Sequence, residues 1–405
     1  MCFFKKNKKD KPSKKASKIY LEFESEENSN PKIKLYNDLV RHAYNYDSEF
    51  FSTSGISDPV EIKRIFYYFL YDYPEVFWTD GYTVQGVGDT ISEVRIDFRC
   101  LTPDGQIDVK DINRKRAELK KSAKYFTRGI TKKTKPYDAL ITIYRRLILE
   151  LDYDGLGLKT QKRNGDAHDL YTDDNLRSLY SALVHKKVVC AGYAVAMQYL
   201  LQSVGISCAV VSSETSDGSG HAFNALKIGK YVYYLDATWG DSSNTATGKQ
   251  YAEDISYDYC CVPLKEFLLT SEEMKPYHTP DSELYPDLEE FTDINHEYYR
   301  YRKSYLVRYD ENLIANAIAN TAISYNPKEM GSFAVSFRCH DTRLMNYVIG
   351  QLQNGSNMYR ILQKARGICK AKRSNKATKL LTDTYAIRKS NGGESGIFFI
   401  SFKQA

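Results

Sequence analysis

Three residues, met in chain order, have the types and surroundings that nucleophilic acyl transfer needs: Cys190, His221 and Asp236. The run Val188-Val189-Cys190-Ala191-Gly192-Tyr193-Ala194 continues through Met197, Tyr199, Leu200 and Leu201. Small and apolar residues recur there at helical spacing, and Gly205 supplies a stop. Cys190 therefore falls at a helix N-terminus, where unpaired amides and the helix dipole favour thiolate over thiol. By itself such a cysteine is as readily a core residue as a nucleophile, so the partners decide. His221 opens a strand, His221–Ile228. Gly229-Lys230 is a two-residue turn of the Gly-X kind, and Tyr231–Thr238 is the return strand. That turn opposes Phe223 to Asp236. His221 and Asp236 become diagonal neighbours on one sheet face, about 7–8 Å apart at the backbone. A carboxylate there would fix the imidazole tautomer and aim the ring at a thiol, which is the Cys–His–Asp arrangement. The same two residues also read as a polar sheet edge, and a turn longer by one residue would send them to opposite faces.

The elements that must position these residues are signalled by period and caps. Residues 33–51 have apolar residues near helical period. A second helix starts at Asp58, with Pro59 in its first turn and Glu61 completing a capping box; Ile62, Ile65, Phe66 and Phe69 form its apolar face. Val94, Ile96, Phe98 and Cys100 alternate with charged residues, the mark of a half-buried strand. A charged, solvated helix is expected within 105–135. Residues 137–150 form a helix with Leu140, Ile143, Tyr144 and Leu147 on one face. A polar connection at 151–172 leads to a helical stretch at 173–184. Residues 251–300 hold thirteen acids against three bases and four prolines, and read as an extended, solvated wrap. Toward the C-terminus, Phe333, Val335, Phe337 and Cys339 alternate in a strand. Helices are expected near 341–353 and 356–370, then strands at about 382–389 and 396–403 joined across Asn391-Gly392-Gly393.

Composition narrows the function classes. The chain has 405 residues with 42% hydrophobic and 13% aromatic content, enough for two or three packed domains. We expect a basic tail at 1–30, an N-terminal α/β domain at 31–135, a catalytic core at 136–300 and a C-terminal α/β domain at 301–405. No stretch approaches 18 uninterrupted apolar residues. Residues 1–20 carry eight Lys and one Asp, while the whole chain is +6, so the body is near neutral and the excess is a tail. That tail is a solvated end or a contact for an anionic surface. The run 360–379 has eight Lys/Arg and no acid, either a solvated helix face or a nucleic-acid contact. Eight widely spread cysteines include no CxxC pair, so no metal site or cofactor is expected. Cys260-Cys261 read as core thiols. The spacing fits a reducing, cytoplasmic compartment; Met1-Cys2-Phe3-Phe4 leaves a shortened leader, and a secreted or membrane-surface location, open.

Three blocks in order, Val189-Cys190-Ala191-Gly192-Tyr193-Ala194, His221-Ala222-Phe223-Asn224 and Asp236-Ala237-Thr238-Trp239, resemble the transglutaminase-like superfamily. The resemblance covers about residues 137–300, and Tyr257–Pro263 is similar to the tail of its bacterial branch. It implies an α+β fold with a papain-like core, a Cys-bearing helix packed on an antiparallel sheet, flanked by small α/β domains. It implies Cys190 as nucleophile, His221 as general base then acid, and Asp236 as orienting carboxylate. Gly192, Tyr193, Asn224 and Trp239 are candidate site-lining residues. The Cys190 backbone N–H is one oxyanion donor; the glutamine that papain-like proteases place upstream has no counterpart in 181–189, which leaves Tyr180 or His185 as candidates, the latter also reading as a solvent-facing residue. The substrate implied is a protein or peptide amide, taken by hydrolysis or transamidation. The alternative is a catalytically inactive module of the same fold that binds proteins or peptides.

Overall fold

The computed structural model describes residues 31–88, 90–155, 176–213, 220–241, 255–263, 297–327, 333–389 and 396–403. The basic tail, the connection at 156–172, residues 173–175, most of the acidic stretch and the Asn391-Gly392-Gly393 turn lie outside the described residues. In chain order the helices are α1 (Pro31–Asn45), α2 (Pro59–Asp72), α3 (Val109–Phe126), α4 (Pro136–Glu150), α5 (Cys190–Ser203), α6 (Ala237–Gly240), α7 (Tyr298–Tyr301), α8 (Glu311–Ser324), α9 (Thr342–Gln353), α10 (Gly355–Ala371) and α11 (Asn375–Leu380). The strands are β1 (Phe51–Ser52), β2 (Thr79–Val87), β3 (Thr90–Phe98), β4 (Asp152–Tyr153), β5 (Lys187–Val188), β6 (Cys208–Ser213), β7 (His221–Ile228), β8 (Tyr231–Leu235), β9 (Cys260–Val262), β10 (Tyr305–Leu306), β11 (Phe333–Cys339), β12 (Tyr385–Lys389) and β13 (Ile397–Phe402). No described helix is long and apolar enough to cross a membrane.

The chain divides into two compact units: 1–139, 151–229 and 271–289 in the first, and 140–150, 230–270 and 290–405 in the second. In the first unit, Asp58 caps α2 by accepting from Val60 N (2.9 Å), and Pro59 takes the first turn as expected. The capping box does not form: Glu61 turns outward to Arg64 (2.6 Å) and Lys32 (2.8 Å), because two cations outcompete one backbone amide for a carboxylate. Helices α1 and α2 pack together beside the sheet β1-β3-β2. Trp78 is fully buried there and its indole N–H donates to Ala43 O (3.1 Å). Burying a tryptophan requires such a partner. Strands β6 and β7 pair antiparallel from Cys208↔Leu226 to Ser213↔His221, and α5 packs on both. The apolar run 208–213, which carries β6, has no alternation to announce it, as suits a strand buried almost throughout.

The second unit is built around the sheet β10-β11-β13-β12. Phe333, Val335, Phe337 and Cys339 are buried and alternate with half-buried residues, the two-residue period read from sequence. Phe337 stacks on Phe398 across the β11–β13 ladder with centroids 5.2 Å apart. Buried residues of α8, α9 and α10 complete this core. The same unit holds β8 paired antiparallel with β9.

Candidate active site

Cys190 is the first residue of α5, as its sequence position suggests. Val189 precedes it in extended geometry and supplies no side-chain cap, so the opening turn of the helix offers its amides and its positive dipole end without a competing side-chain oxygen. Val189 is anchored instead by its own N–H, which donates to Leu176 O (3.0 Å). Among the described cysteines only Cys100 and Cys190 are half-buried; the other five are buried. Burial pushes the Cys339 thiol up to about 12 and raises the thiols of Cys208, Cys260 and Cys369 as well. Cys260 and Cys261 are fully buried, as expected of core thiols.

A ladder of side-chain bonds fixes how far along the sheet Cys190 lies. Gln202 Nε2 donates to Cys208 O (2.9 Å), and Val210 N donates to Gln198 Oε1 (2.7 Å). Stepping back four residues on α5 is about 6 Å, and stepping forward two on β6 is about 6.6 Å, so helix and strand run antiparallel in register. Asn224 lies opposite Val210 and donates from Nδ2 to Ala194 O (2.9 Å) and Ala209 O (3.1 Å), so β7 runs in the same direction as α5. Continuing from Gln202 to Cys190 covers about 18 Å, or between five and six strand residues beyond Cys208. That carries the helix N-terminus toward the end of the ladder where Ser213 pairs with His221. His221 is buried and its ring lies 6.3 Å from that of Phe223.

Asp236 belongs to the second unit and departs from its expected place. Strand β8 ends at Leu235 rather than running to residue 238. Asp236 is the N-cap of the one-turn helix α6, and its Oδ1 accepts from Thr238 N (2.8 Å) and Trp239 N (3.1 Å). An Asp followed by two free amides caps a turn more favourably than it extends a strand. The residue is fully buried, and its own N–H donates to Tyr259 O (2.9 Å). Tyr144 supports this turn from below: its hydroxyl donates to Ser256 O (2.7 Å), and a Cβ at Gly240 would sit 1.8 Å from it. Burial raises the Tyr144 hydroxyl pKa, so it stays a donor.

The remaining candidates have distinct places. Gly192 is packed against Leu176 O and Val188 Cγ1, each 2.6 Å from where a Cβ would be, so its lack of a side chain lets α5 sit close. Tyr193 is buried and donates to Leu151 O (3.1 Å). Asn224 is fully buried in the bonds given above. Trp239 is half-buried, edge-on to Tyr259 at 5.3 Å. Tyr180 binds Glu118 through its hydroxyl, which accounts for that group, and His185 is exposed, in keeping with its solvent-facing reading. Gln198 was not singled out in the sequence. It is fully buried, bonds Tyr71 O as well as Val210 N, and ties α2 to α5 and β6. Its signal is a polar residue between Met197 and Tyr199, in the middle of an apolar helix. Among the described residues no group of His, Cys, Asp and Glu is arranged to hold a metal ion.

Residues 124–239 match the family model of the transglutaminase-like superfamily. One solved structure, described as the crystal structure of a TGase, is similar at 14% identity over 43% of this chain, with a TM-score of 0.26. This chain spans 46% of that one. The curated proteins contain no match.

Proposed function

On the premise that this chain carries a transglutaminase-like domain at 124–239, we propose that it is a cysteine-dependent acyl-transfer enzyme acting on protein or peptide amides. One arrangement supports the reading: the half-buried thiol of Cys190 opens a helix with no side-chain cap, and that helix runs its N-terminus toward the His221 end of β7. In the proposed mechanism the Cys190 thiolate attacks the amide carbonyl. The Cys190 backbone N–H donates to the oxyanion, and imidazolium His221 protonates the departing amine. A thioester on Cys190 results. Water or a second amine, deprotonated by neutral His221, then attacks the thioester and frees the enzyme. Asp236 is proposed to orient His221 with the carboxylate that also caps α6, so that its position is fixed by two backbone N–H groups before any substrate arrives. The papain-like arrangement of helix on antiparallel sheet belongs to the same proposal.

The test is a peptide library read by mass spectrometry. Cleavage, deamidation and crosslinking change the mass in different ways, so one measurement separates peptidase, deamidase and transglutaminase chemistry. Cys190→Ala should abolish every such change while leaving the circular dichroism spectrum intact. Full turnover in Cys190→Ala removes Cys190 from the reaction.

A further inference from the structure

Helix α8 carries asparagine at 312, 316 and 320, one every four residues, which places them in a single line along the helix. Asparagine is a poor helix former, disfavoured by up to ~0.7 kcal/mol against alanine. The core does not require this line: α8 buries Ile314, Ala315, Ala317, Ile318, Ala319 and Ala322 instead. Asn312 and Asn316 are exposed and Asn320 is half-buried.

Asn316 and Asn320 line a groove of about 610 Å³ together with Arg300, Lys303, Tyr305 and Leu313. The Arg300 guanidinium lies over the Tyr305 ring, 3.9 Å from its centroid. Arg300 feels the buried carboxylate of Glu297, and among the described residues neither Arg300 nor Lys303 forms a salt bridge within 4 Å. Helices α10 and α11 pack against α8 and extend the positive charge. Lys372 Nζ donates to Asn320 Oδ1 (3.1 Å), and Lys370, Arg373, Lys376 and Lys379 are exposed nearby in sequence. Residues 355–389 hold ten Lys/Arg and one acid, Asp383, which is already paired with Arg366 (2.7 Å). Lys370 in the last turn of α10 has an ordinary role in complementing the helix dipole. That role does not reach Arg300 or Lys303, and local bonds (Asn316 Nδ2 to Asn312 O, 2.8 Å; Lys372 to Asn320) leave Asn316 Oδ1 and Asn320 Nδ2 turned to the groove they line.

The three kinds of group meet one ligand chemistry. Clustered cations attract phosphates. Carboxamides donate and accept at once, as base edges require. A guanidinium plane backed by a tyrosine ring is a platform on which an unpaired base stacks. An acidic polysaccharide or an anionic bilayer would use the cations alone. We propose that this face of the second unit binds single-stranded nucleic acid, with phosphates on Arg300, Lys303 and Lys372 and bases against the asparagine line.

The test is fluorescence anisotropy of a labelled twelve-nucleotide oligouridine on the full chain. All proteins carry Lys→Ser substitutions at the eight tail lysines (5, 6, 8, 9, 11, 14, 15 and 18), so that tail charge does not mask the groove. Three phosphate contacts at ~0.7 each give a salt slope of about −2, or roughly 20-fold weaker binding at 200 than at 50 mM salt. Arg300→Glu with Lys303→Glu should weaken binding at least ~10-fold and flatten that slope. Asn316→Ala with Asn320→Ala should weaken binding while leaving the slope unchanged, because amides release no counterions. The same pair should raise the melting temperature, since alanine is the better helix former, which separates a binding role from a structural one. Wild-type affinity in both double variants overturns the proposal. So does binding of heparin or phosphatidylserine vesicles by a protein that ignores the oligonucleotide.

Discussion

Gly192→Ala is a one-methyl perturbation two residues after the proposed nucleophile. The added Cβ would lie 2.6 Å from Leu176 O, 2.6 Å from Val188 Cγ1 and 2.7 Å from Val188 Cβ. Comfortable carbon contacts are about 3.5–4.0 Å, so α5 must withdraw by nearly 1 Å or its neighbours must give way. Leu176 O, and Val188 Cβ, which is bonded directly to the backbone, are poorly able to do so. Leu176 O is backbone, and it accepts the Val189 N–H (3.0 Å) that holds the chain just before Cys190. Overpacking of this kind costs about 1–3 kcal/mol, and weakening that hydrogen bond adds about 1. Replacing a helical glycine by alanine returns about 1. The net expectation is a loss of about 1–3 kcal/mol. A shift approaching 1 Å at the helix start costs far more in rate, on the order of 100-fold. The assay pairs thermal unfolding with the rate at which iodoacetamide labels Cys190, resolved by peptide mass spectrometry. Gly367→Ala is the control: it lies exposed within α10, where a Cβ meets nothing within 4 Å, and should stabilise by up to ~1 kcal/mol without touching the Cys190 rate. Gly192→Ala with wild-type stability and wild-type labelling would refute the reasoning that this close approach sets the position of Cys190.

Three further outcomes are expected. Asp236→Asn keeps the cap acceptor, so its stability should stay within ~0.5 kcal/mol of wild type while turnover falls; Asp236→Ala should lose a further ~1 kcal/mol from the missing cap, and equal turnover in Asn and wild type would detach Asp236 from catalysis. Iodoacetamide should label Cys190 faster than Cys208, Cys260, Cys339 or Cys369, whose thiols burial holds neutral; faster labelling of Cys208 would count against a reactive Cys190. Burial raises the Asp72 carboxyl to about 8, against about 3.9 in the unfolded chain, even though Tyr36 donates to it (2.6 Å). The folded state therefore holds a proton that the unfolded state releases, so this group's contribution is fully present below pH 4 and is lost progressively as pH rises toward 8. Asp72→Asn should flatten that decline in a melting-temperature series, and an unchanged pH profile would show Asp72 ionised in the fold.

Much of what positions the candidate residues is legible in the sequence because its signals are local. A cysteine followed by small and apolar residues at helical spacing starts a helix whatever lies elsewhere, and α5 does begin at Cys190. Gly229, at a φ of 63°, lies between β7 and β8 where the Gly-Lys dipeptide calls for a turn. Alternation at 333–339 and the Asp58-Pro59 start are likewise properties of a few adjacent residues. What the tertiary structure decided depends on groups far apart in the chain. Asp236 looked like a strand residue, and became a cap because the backbone leaves the strand there, its N–H taken by Tyr259 O. The need for glycine at 192 comes from a carbonyl sixteen positions earlier, and no pattern of neighbours reveals it. Gln198 is polar in an apolar helix, a local oddity whose meaning lies in Tyr71 and Val210. A helix start is a property of one segment. Its level along a sheet is set by which buried amides find partners across segments, since each must be satisfied in the one arrangement that satisfies the others.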